Sequence, residues 1–261
     1  EEGIDAVIIG SDAVAQHHPL LERIVFPTRR IFHISKLTSD RMFPNPFWGT
    51  FSNYLPTNFP MAILSASCQD SSYKFIGCRT LKQMKACLNK MSYISARDTW
   101  TKSMYEHIYH KQKEIPVTPD PVFAFNNNID NIPTENEIRE KYNLDREYIL
   151  ISFLNSTTVN KTWLDEFQMI ANRKNIDCVA LPFPSGIKFE NNISKQVSLP
   201  LSPIDWYSLI KYSKGYVGHN MHPIVVSLHN AVPFFSFDNY GRKINRYKCD
   251  ESTSKIKHIL S

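Results

Sequence analysis

The sequence predicts an α/β protein made of two domains with largely parallel sheets. Short apolar runs typical of buried strands alternate with amphipathic stretches typical of helices, and this alternation favours parallel sheets covered by helices. The alternation stops at a polar, turn-like stretch, residues 126–133, and then starts again. With 261 residues, the chain is long enough for two such domains. We therefore predict an N-terminal α/β domain over residues 1–133 and a C-terminal α/β domain over residues 134–261.

In the first half, strands are predicted where apolar residues run together, and helices where they recur every three or four positions. The predicted strands are 7–9, 61–67 and 92–95, and the predicted helices are 80–91 and 101–111. Residues 26–60 are rich in proline and aromatic residues and are expected to be irregular. Almost nothing precedes the strand at 7–9, so we expect that an earlier segment, including the domain's first strand, is absent from this sequence.

The second half shows the same alternation with clearer helix starts. Thr134 is followed three residues later by Glu137, which is the pattern of a capping box, and Ser202 precedes a proline at the predicted first turn of another helix. The predicted strands are 147–155, 176–184, 215–218 and 232–238, and the predicted helices are 134–142, 162–174, 202–214 and 223–231.

Charge, apolar content and cysteine spacing limit the kinds of partner and the cellular compartment that the sequence fits. The net charge of +5 suits small anionic substrates or a membrane surface, and no run of five Lys or Arg residues suggests nucleic-acid binding. The sequence contains no apolar stretch of the roughly 18 residues that a transmembrane helix needs and no secretory signal. Five widely spaced cysteines without a CxxC pattern are typical of reduced thiols. We expect a cytoplasmic protein, and its basic surface also fits peripheral association with the inner face of the membrane.

Two histidines precede the predicted helix 223–231. Because Pro223 suits the first helical position, His222 is predicted near the N-cap, at the carboxyl edge of a sheet, where backbone N–H groups favour anions. His222 could bind a phosphate or carboxylate, could give it a proton, or could simply cap the helix, and the sequence leaves these alternatives open. His219 and His222 straddle a turn and no acidic residue follows at ligand spacing, so no metal site is predicted.

Several polar residues follow predicted strands and are candidates for the same edge. Arg97 comes after the strand at 92–95, and arginine is the natural bidentate partner of a carboxylate or phosphate. Pairing of Arg97 with Asp98, or capping of the next helix, would explain it equally well. Ser11 and Asp12 follow the first predicted strand, where a plain turn is the alternative.

Arg242 and Lys243 follow the "DNYG" turn, again just past a predicted strand. Each of them alone is typical of a solvated charged loop.

Five short motifs, in order, resemble those of the polysaccharide pyruvyl transferase family. They are "GSD" at 10–12, "SAS" at 65–67, "ISARD" at 94–98, "TPDPVF" at 118–123 and "HPIVVSLHNAVPFFSFDNYGRK" at 222–243. The resemblance implies a glycosyltransferase-B-like fold, in which two Rossmann-like domains face a cleft. It also implies transfer of the enolpyruvyl unit of phosphoenolpyruvate to two hydroxyls of one sugar, which releases phosphate and leaves a cyclic ketal.

The resemblance assigns roles to individual residues. His222 matches the family's catalytic histidine, Arg97 matches a donor-binding arginine, and Lys243, with Arg242 beside it, matches a later basic residue. The arginine of the family's Arg-x-His motif is Asn220 here. The implied substrate-binding set is Arg97, Lys243, Arg242, Asn220, His219, Ser11 and Asp12.

The resemblance also implies the partners and the setting. Phosphoenolpyruvate is the expected donor substrate, with no separate cofactor and no metal. The expected acceptor is a saccharide, including lipid-linked forms, in bacterial surface-polysaccharide biosynthesis. The N-terminal domain is then the acceptor side and the C-terminal domain the donor side.

Two other functions stay open from the sequence. One is a glycosyltransferase of the same fold that uses a nucleotide sugar, for which an acidic residue such as Asp238 would have to hold the ribose. The other is a catalytically weakened relative that only binds saccharide, which Asn220 in place of arginine would favour.

Overall fold

Two compact units, each with a parallel sheet, make up the protein. The computed structural model describes residues 3–28, 31–54, 59–127, 129–155, 159–237, 242–245, 248–250 and 255–260. The units are Glu1–Pro121 together with Tyr240–Ser261, and Val122–Asn239. The prediction of an α/β protein with largely parallel sheets is confirmed. A glycosyltransferase-B-like pair of Rossmann-like domains facing a cleft stays a prediction.

The first unit is organised around a three-stranded parallel sheet. Its elements up to residue 108 are, in chain order, β1 (Val7–Gly10), α1 (Leu20–Arg23), β2 (Ile24–Thr28), β3 (Ile31–Ile34), β4 (Met61–Ala66), α2 (Cys78–Leu88), β5 (Tyr93–Ala96) and α3 (Thr99–Ile108). The sheet has the order β1–β4–β5, with β4 in the centre. The region predicted to be irregular contains most of an antiparallel β2–β3 hairpin, followed by 3₁₀ helices.

The core of the first unit comes from spaced apolar residues on its two longer helices. Met84 and Leu88 of α2, and Met104 and Ile108 of α3, are four residues apart and fully buried. Residues at this spacing lie on the same face of a helix, so both helices pack one apolar stripe inward. Trp48, from the 3₁₀ region, is buried with them.

The second unit has a five-stranded parallel sheet. Its elements are α4 (Glu135–Lys141), β6 (Glu147–Ser152), α5 (Lys161–Arg173), β7 (Ile176–Ala180), β8 (Lys195–Gln196), α6 (Pro203–Lys211), β9 (Gly215–Gly218), α7 (Met221–His229) and β10 (Phe234–Ser236). The strand order is β10–β9–β6–β7–β8. The chain goes from β6 to β7 on one side and later returns to β9 on the other. The strand order therefore reverses between β6 and β9, and ligands of open α/β sheets bind at the carboxyl ends of strands at such a point.

The predicted helix starts at Thr134 and Ser202 are confirmed. The Thr134 hydroxyl accepts a hydrogen bond from the Glu137 N–H, while the Glu137 carboxylate accepts one from the Thr134 N–H at 2.7 Å. The Ser202 hydroxyl accepts from the Ile204 N–H at 3.2 Å, and Pro203 opens α6. Local chemistry alone decided these positions, because a cap needs only residues within one turn.

Helix α7 starts earlier than the sequence predicted. It begins at Met221, so Pro223 is its third residue, and Asn220 rather than His222 is the N-cap. The predicted helix start at Pro223 is therefore wrong by two positions, whereas His222, the second helical residue, lies near the N-cap as predicted. Proline is tolerated at the third position because the first four N–H groups of a helix have no intrahelical partner in any case.

In the sequence, Ile224, Leu228 and Ala231 are spaced at i, i+4 and i+7, which predicts that all three face the sheet. This prediction is wrong for two of the three. Ile224 is fully buried, but Leu228 is 36% exposed and Ala231 lies beyond the end of α7. Val225 and Val226 are fully buried next to Ile224. A helix buried on several sides has no single apolar stripe, so periodicity does not identify its inner face.

The division into units differs from the predicted boundary between residues 133 and 134. The segment after Pro121 belongs to the second unit because its side chains pack on α6 and α7. The ring of Phe125 stacks on Tyr207 at 4.2 Å, and Asn126 hydrogen-bonds both the Tyr207 hydroxyl and His229. The assignment of the two domains to an acceptor side and a donor side stays a prediction.

The C-terminal segment was predicted to belong to the second domain, whereas the division assigns Tyr240–Ser261 to the first unit. It contains β11 (Arg242–Asn245), β12 (Lys248–Asp250) and α8 (Lys255–Leu260), and β11 pairs with β12 in antiparallel fashion. Strand–helix alternation does not reveal to which unit a terminal segment belongs, and β11 and β12 form a two-stranded sheet of their own. Within the described stretches, no helix is both long and apolar enough to cross a membrane.

Candidate functional site

The "GSD" motif turns the chain sharply at the carboxyl end of β1. A side chain at Gly10 would place its Cβ 2.9 Å from the carbonyl oxygen of Leu64 on β4, so glycine allows the two strands to approach. Ser11 has a left-handed backbone with φ of 48°. The Asp12 carbonyl then accepts hydrogen bonds from the N–H groups of Val14 and Ser67. The backbone of this turn is thus tied to the loop after β4.

Arg97 is the first residue after β5, and its side chain reaches back to that turn. The Nη1 atom donates to the Oδ2 atom of Asp120 at 2.8 Å and to the Ser11 carbonyl oxygen. The Nη2 atom lies 3.4 Å from the Oδ1 atom of Asp12. The Arg97 side chain is only 3% exposed. The structure therefore brings three predicted site residues, Ser11, Asp12 and Arg97, into direct contact.

Asp98 is engaged in a different network from its neighbour Arg97. Its Oδ1 atom accepts a hydrogen bond from the Thr101 N–H at 2.7 Å, which makes Asp98 the N-cap of α3. Its Oδ2 atom accepts from the Ser67 hydroxyl at 2.8 Å. The sequence left two alternatives to anion binding for Arg97, which were pairing with Asp98 and capping of the next helix. In the structure Asp98 caps that helix, and Arg97 contacts Asp120 and the GSD turn.

In the second unit, a cavity of about 380 Å³ opens at the carboxyl edge of the sheet. It lies where Ser152 ends β6 and where the chain leaves β9 for α7, which is the point of strand-order reversal. Its size is within the range of small-molecule sites. The lining residues are Val122, Ser152, Leu181, Pro182, Phe183, Pro184, Leu199, Leu201, Pro203, Trp206, Asn220, His222 and Pro223.

The polar groups of this cavity come from two strand ends. Ser152 ends β6, whereas Asn220 and His222 belong to the start of α7. Asn220 makes no side-chain capping bond to α7. The remaining lining residues are apolar, so the cavity offers a few hydrogen-bonding groups and one imidazole beside a large apolar wall.

Tyr216 and Gly218 lie on β9, next to the polar residues of the cavity. A side chain at Gly218 would place its Cβ 2.3 Å from the carbonyl oxygen of Ser152 and 2.4 Å from the Tyr216 hydroxyl. Burial raises the pKa of Tyr216, and the backbone of Asn220 and the side chain of Ser152 oppose this only in part. The phenol therefore stays protonated next to the residues that line the cavity.

His219 lies near the same edge but is not among the lining residues. Its Nε2 atom accepts a hydrogen bond from the Leu154 N–H at 3.0 Å, and its ring stacks on Phe153 with centroids 5.8 Å apart. These contacts hold the loop after β6. The predicted role of His219 in substrate binding stays a prediction.

Arg242 and Lys243 lie on β11, where Lys243 pairs with Cys249 in register. Their side chains, and the turn at 238–241 with Asp238, lie outside the described residues. Their predicted substrate-binding role stays a prediction, as does the predicted convergence of Arg97, His222 and Lys243. Among the residues that the structure describes, no three His, Cys, Asp or Glu side chains lie together as a metal site would require.

Sequence reasoning missed several residues of these two edges. Asp120 sits inside a motif that was recognised, but its partner is 23 positions away in sequence. Ser152 could have been found, because it is a polar residue directly after the apolar run 148–151 of a predicted strand. Phe183 and Trp206 left no local signal, since their place in the cavity depends on how the loop after β7 and helix α6 pack on the sheet.

Comparison with known proteins gives a family and a weak structural likeness. No curated protein matches the chain. The S. aureus MnaA–UDP co-structure is similar with a TM-score of 0.37 and 17% sequence identity, over 67% of this chain and 49% of that one. The chain thus spans about half the length of that structure. The family model for polysaccharide pyruvyl transferases matches residues 3–240. This match includes both of the edges described above, and the chain belongs to the polysaccharide pyruvyl transferase family.

Proposed function

We propose that this protein transfers the enolpyruvyl unit of phosphoenolpyruvate to two hydroxyls of a sugar and forms a cyclic pyruvate ketal. Membership of the family supports the transferase class and a saccharide acceptor. The observation that carries the finer proposal is the position of His222, in the first turn of α7 and on the wall of the cavity at the strand-order reversal.

The reaction requires a group that protonates carbon C3 of phosphoenolpyruvate. A sugar hydroxyl attacks C2 of phosphoenolpyruvate while C3 takes up a proton, and a second hydroxyl then replaces phosphate at C2 and closes the ketal. Two hydroxyl protons are released as the two oxygens bond to C2: one balances the proton taken up at C3, and the other leaves with the released phosphate. In this proposal the imidazolium of His222 gives the proton to C3 as a general acid, which typically accelerates such a step by roughly 10²–10⁴-fold.

The donor needs cations because it carries a carboxylate and a phosphate on a small frame. In the proposal Arg97 and Lys243, with Arg242 beside Lys243, supply that charge. Ser11 and Asp12 shape the edge at Arg97, and Asn220 lies beside His222 at the cavity. The acceptor is a surface-polysaccharide precursor, free or lipid-linked, used in the cytoplasm or at the inner face of the membrane. No separate cofactor or metal is included in this mechanism.

The apolar walls of the cavity favour a second candidate. Phosphoenolpyruvate is small and highly charged, whereas Phe183, Trp206 and the prolines around His222 suit a larger uncharged body. A nucleoside diphosphate sugar has such a body joined to an anionic group, so a nucleotide-sugar glycosyltransferase is the alternative enzyme. A third outcome is a binding protein with little activity, because Asn220 stands where the family has a cation.

Incubation with each donor separates these functions. The purified protein is mixed with candidate saccharides, free and lipid-linked, together with phosphoenolpyruvate or with nucleotide sugars, and the products are analysed by mass spectrometry. A saccharide carrying a pyruvate ketal, with release of phosphate, supports the proposal. Glycosyl transfer without a ketal supports the second candidate, and saccharide binding without any product supports the third.

A further inference from the structure

Helix α2 carries positive charge without a compensating acidic residue. Arg79, Lys82 and Lys85 recur every three residues along it, and none of its 11 residues is Asp or Glu, whereas α3 and α5 both contain acidic residues. Met84 and Leu88 are the residues that α2 buries. The side chains of Arg79 and Lys82 are exposed and that of Lys85 is half-buried. The outer side of α2 is therefore a strip of cations.

Two exposed lysines that follow α3 extend this strip. The Nζ atoms of Lys85 and Lys113 both lie over the ring of Tyr109, at 5.9 Å and 5.3 Å from its centroid. Lys85 also donates a hydrogen bond to the Gln112 side chain at 3.1 Å, next to Lys111. These contacts place the turn after α3 beside α2. The cations of the two elements, which we call the basic surface, are Arg79, Lys82, Lys85, Lys111 and Lys113.

The protein does not neutralise the basic surface with its own carboxylates. Among the residues that the structure describes, no ion pair involves a member of this surface. The neighbouring carboxylates of Glu106 and Glu114 lie on Lys102 instead, at 3.6 Å and 3.8 Å. In the second unit, by contrast, Lys141 and Lys214 each contact a carboxylate, at 2.6 Å and 2.7 Å. The charge of the basic surface is thus available to an anionic partner.

An exposed aromatic residue lies close to the basic surface. The rings of Tyr73 and His107 have centroids 5.5 Å apart, so residues 73–75 pack against the C-terminal half of α3, which leads into Lys111. In this segment Lys74 is exposed, and Phe75 is 64% exposed. A large apolar side chain beside several cations is typical of proteins that lie on a lipid bilayer, because the ring enters the boundary between headgroups and acyl chains.

We propose that the basic surface, with Phe75 beside it, binds the headgroups of an anionic lipid bilayer. Clusters of roughly four to eight Lys and Arg residues on a helical surface bind such headgroups. All members of the basic surface except Arg79 are lysines, which act as point charges without a required geometry, and this suits mobile headgroups. The inference concerns a surface of the first unit, and it does not depend on the chemistry at His222.

Sedimentation with lipid vesicles tests the inference. At low salt the protein should sediment with vesicles that contain phosphatidylglycerol and should stay in solution with vesicles of phosphatidylcholine alone. Each cation near an anionic surface strengthens binding roughly fivefold, so Lys82→Gln/Lys111→Gln should weaken binding to the anionic vesicles by roughly 25-fold. Both side chains are exposed, and unfolding in urea checks that the double variant is as stable as the wild type.

Lys161→Gln/Lys174→Gln is the matched control, because it removes the same charge from two exposed lysines at the ends of α5 in the second unit. This variant should bind the anionic vesicles nearly as well as the wild type.

Three results would overturn the inference. The first is that the wild type does not bind the anionic vesicles, or that the control variant loses as much binding as Lys82→Gln/Lys111→Gln. The second is that the wild type binds double-stranded DNA or an acidic polysaccharide at least as tightly at the same salt concentration. The third is unchanged vesicle binding by Phe75→Ser, because Phe75 is the feature that favours a bilayer over other polyanions.

Discussion

The carboxyl edges of the two parallel sheets differ in the charged groups that they carry. At the three-stranded sheet, one buried guanidinium is held by a buried carboxylate, an exposed carboxylate and a backbone carbonyl. At the five-stranded sheet, one imidazole and two uncharged polar side chains share a cavity whose other walls are apolar. The carboxyl edge of the sheet thus carries an ion-pair network in one unit and a pocket with mostly apolar walls in the other.

This difference indicates which property each edge controls. Charges that are buried together must satisfy one another, so Arg97 and Asp120 contribute first to the stability of their unit. A pocket with apolar walls needs no internal partner and can hold a ligand next to its few polar groups. Substitutions at the first edge should therefore change unfolding and donor affinity, whereas substitutions at His222 should change turnover.

The largest expected effect is on turnover at the second edge. Glutamine at position 222 can accept and donate hydrogen bonds but cannot deliver a proton, so His222→Gln should lower kcat by roughly 10²–10⁴-fold. The Kd for phosphoenolpyruvate should stay close to the wild-type value in calorimetric titration. His229→Gln is the matched control, because His229 ends the same helix and is not among the residues that line the cavity. Its kcat should stay near the wild-type value.

The next effect is on stability at the first edge. Asp120→Ala leaves the buried guanidinium of Arg97 without its closest partner and should lower the free energy of unfolding by about 3–5 kcal/mol. Asp12→Ala removes an exposed partner of the same guanidinium and should cost about 1 kcal/mol or less. Urea unfolding of both variants measures the difference. Equal losses in the free energy of unfolding would show that burial does not determine how much each carboxylate stabilises the unit.

The smallest effect compares a glycine from each edge. Gly218→Ala would force a Cβ within 2.3 Å of the Ser152 carbonyl oxygen, whereas Gly10→Ala would meet the Leu64 carbonyl oxygen at 2.9 Å. Overpacking of this kind typically costs about 1–3 kcal/mol. We expect Gly218→Ala to lie near the upper end and Gly10→Ala near the lower end in thermal or urea unfolding. The reverse order would mean that the backbone of β6 and β9 accommodates an added methyl group more easily than that of β1 and β4.

Local signals predicted the elements better than the partners. The capping box at Thr134 and the cap at Ser202 depend on neighbours within one turn, and both are present as predicted. The parallel sheets followed from alternation alone. The start of α7 was misplaced because proline is compatible with any position in the first turn.

The candidate sites were harder to predict, because they depend on contacts between distant parts of the chain. The sequence singled out Arg97 but not its partner Asp120, which a separate loop brings to it. His222 was singled out, but the apolar character of its surroundings was not, because Trp206 reaches the cavity through the packing of α6. His219 was predicted to bind substrate, and its hydrogen bond with the Leu154 N–H could be seen only in the folded protein.

The pH dependence of kcat, in wild type and in His222→Gln, tests the central claim most directly. A general acid works in its protonated form, so the wild-type rate of ketal formation should be highest at low pH and should fall as the imidazolium loses its proton. His222→Gln, with phosphoenolpyruvate still bound, should lack that falling limb. If the variant keeps the limb, or keeps a rate close to that of the wild type, His222 is not the acid and the proposed mechanism is wrong.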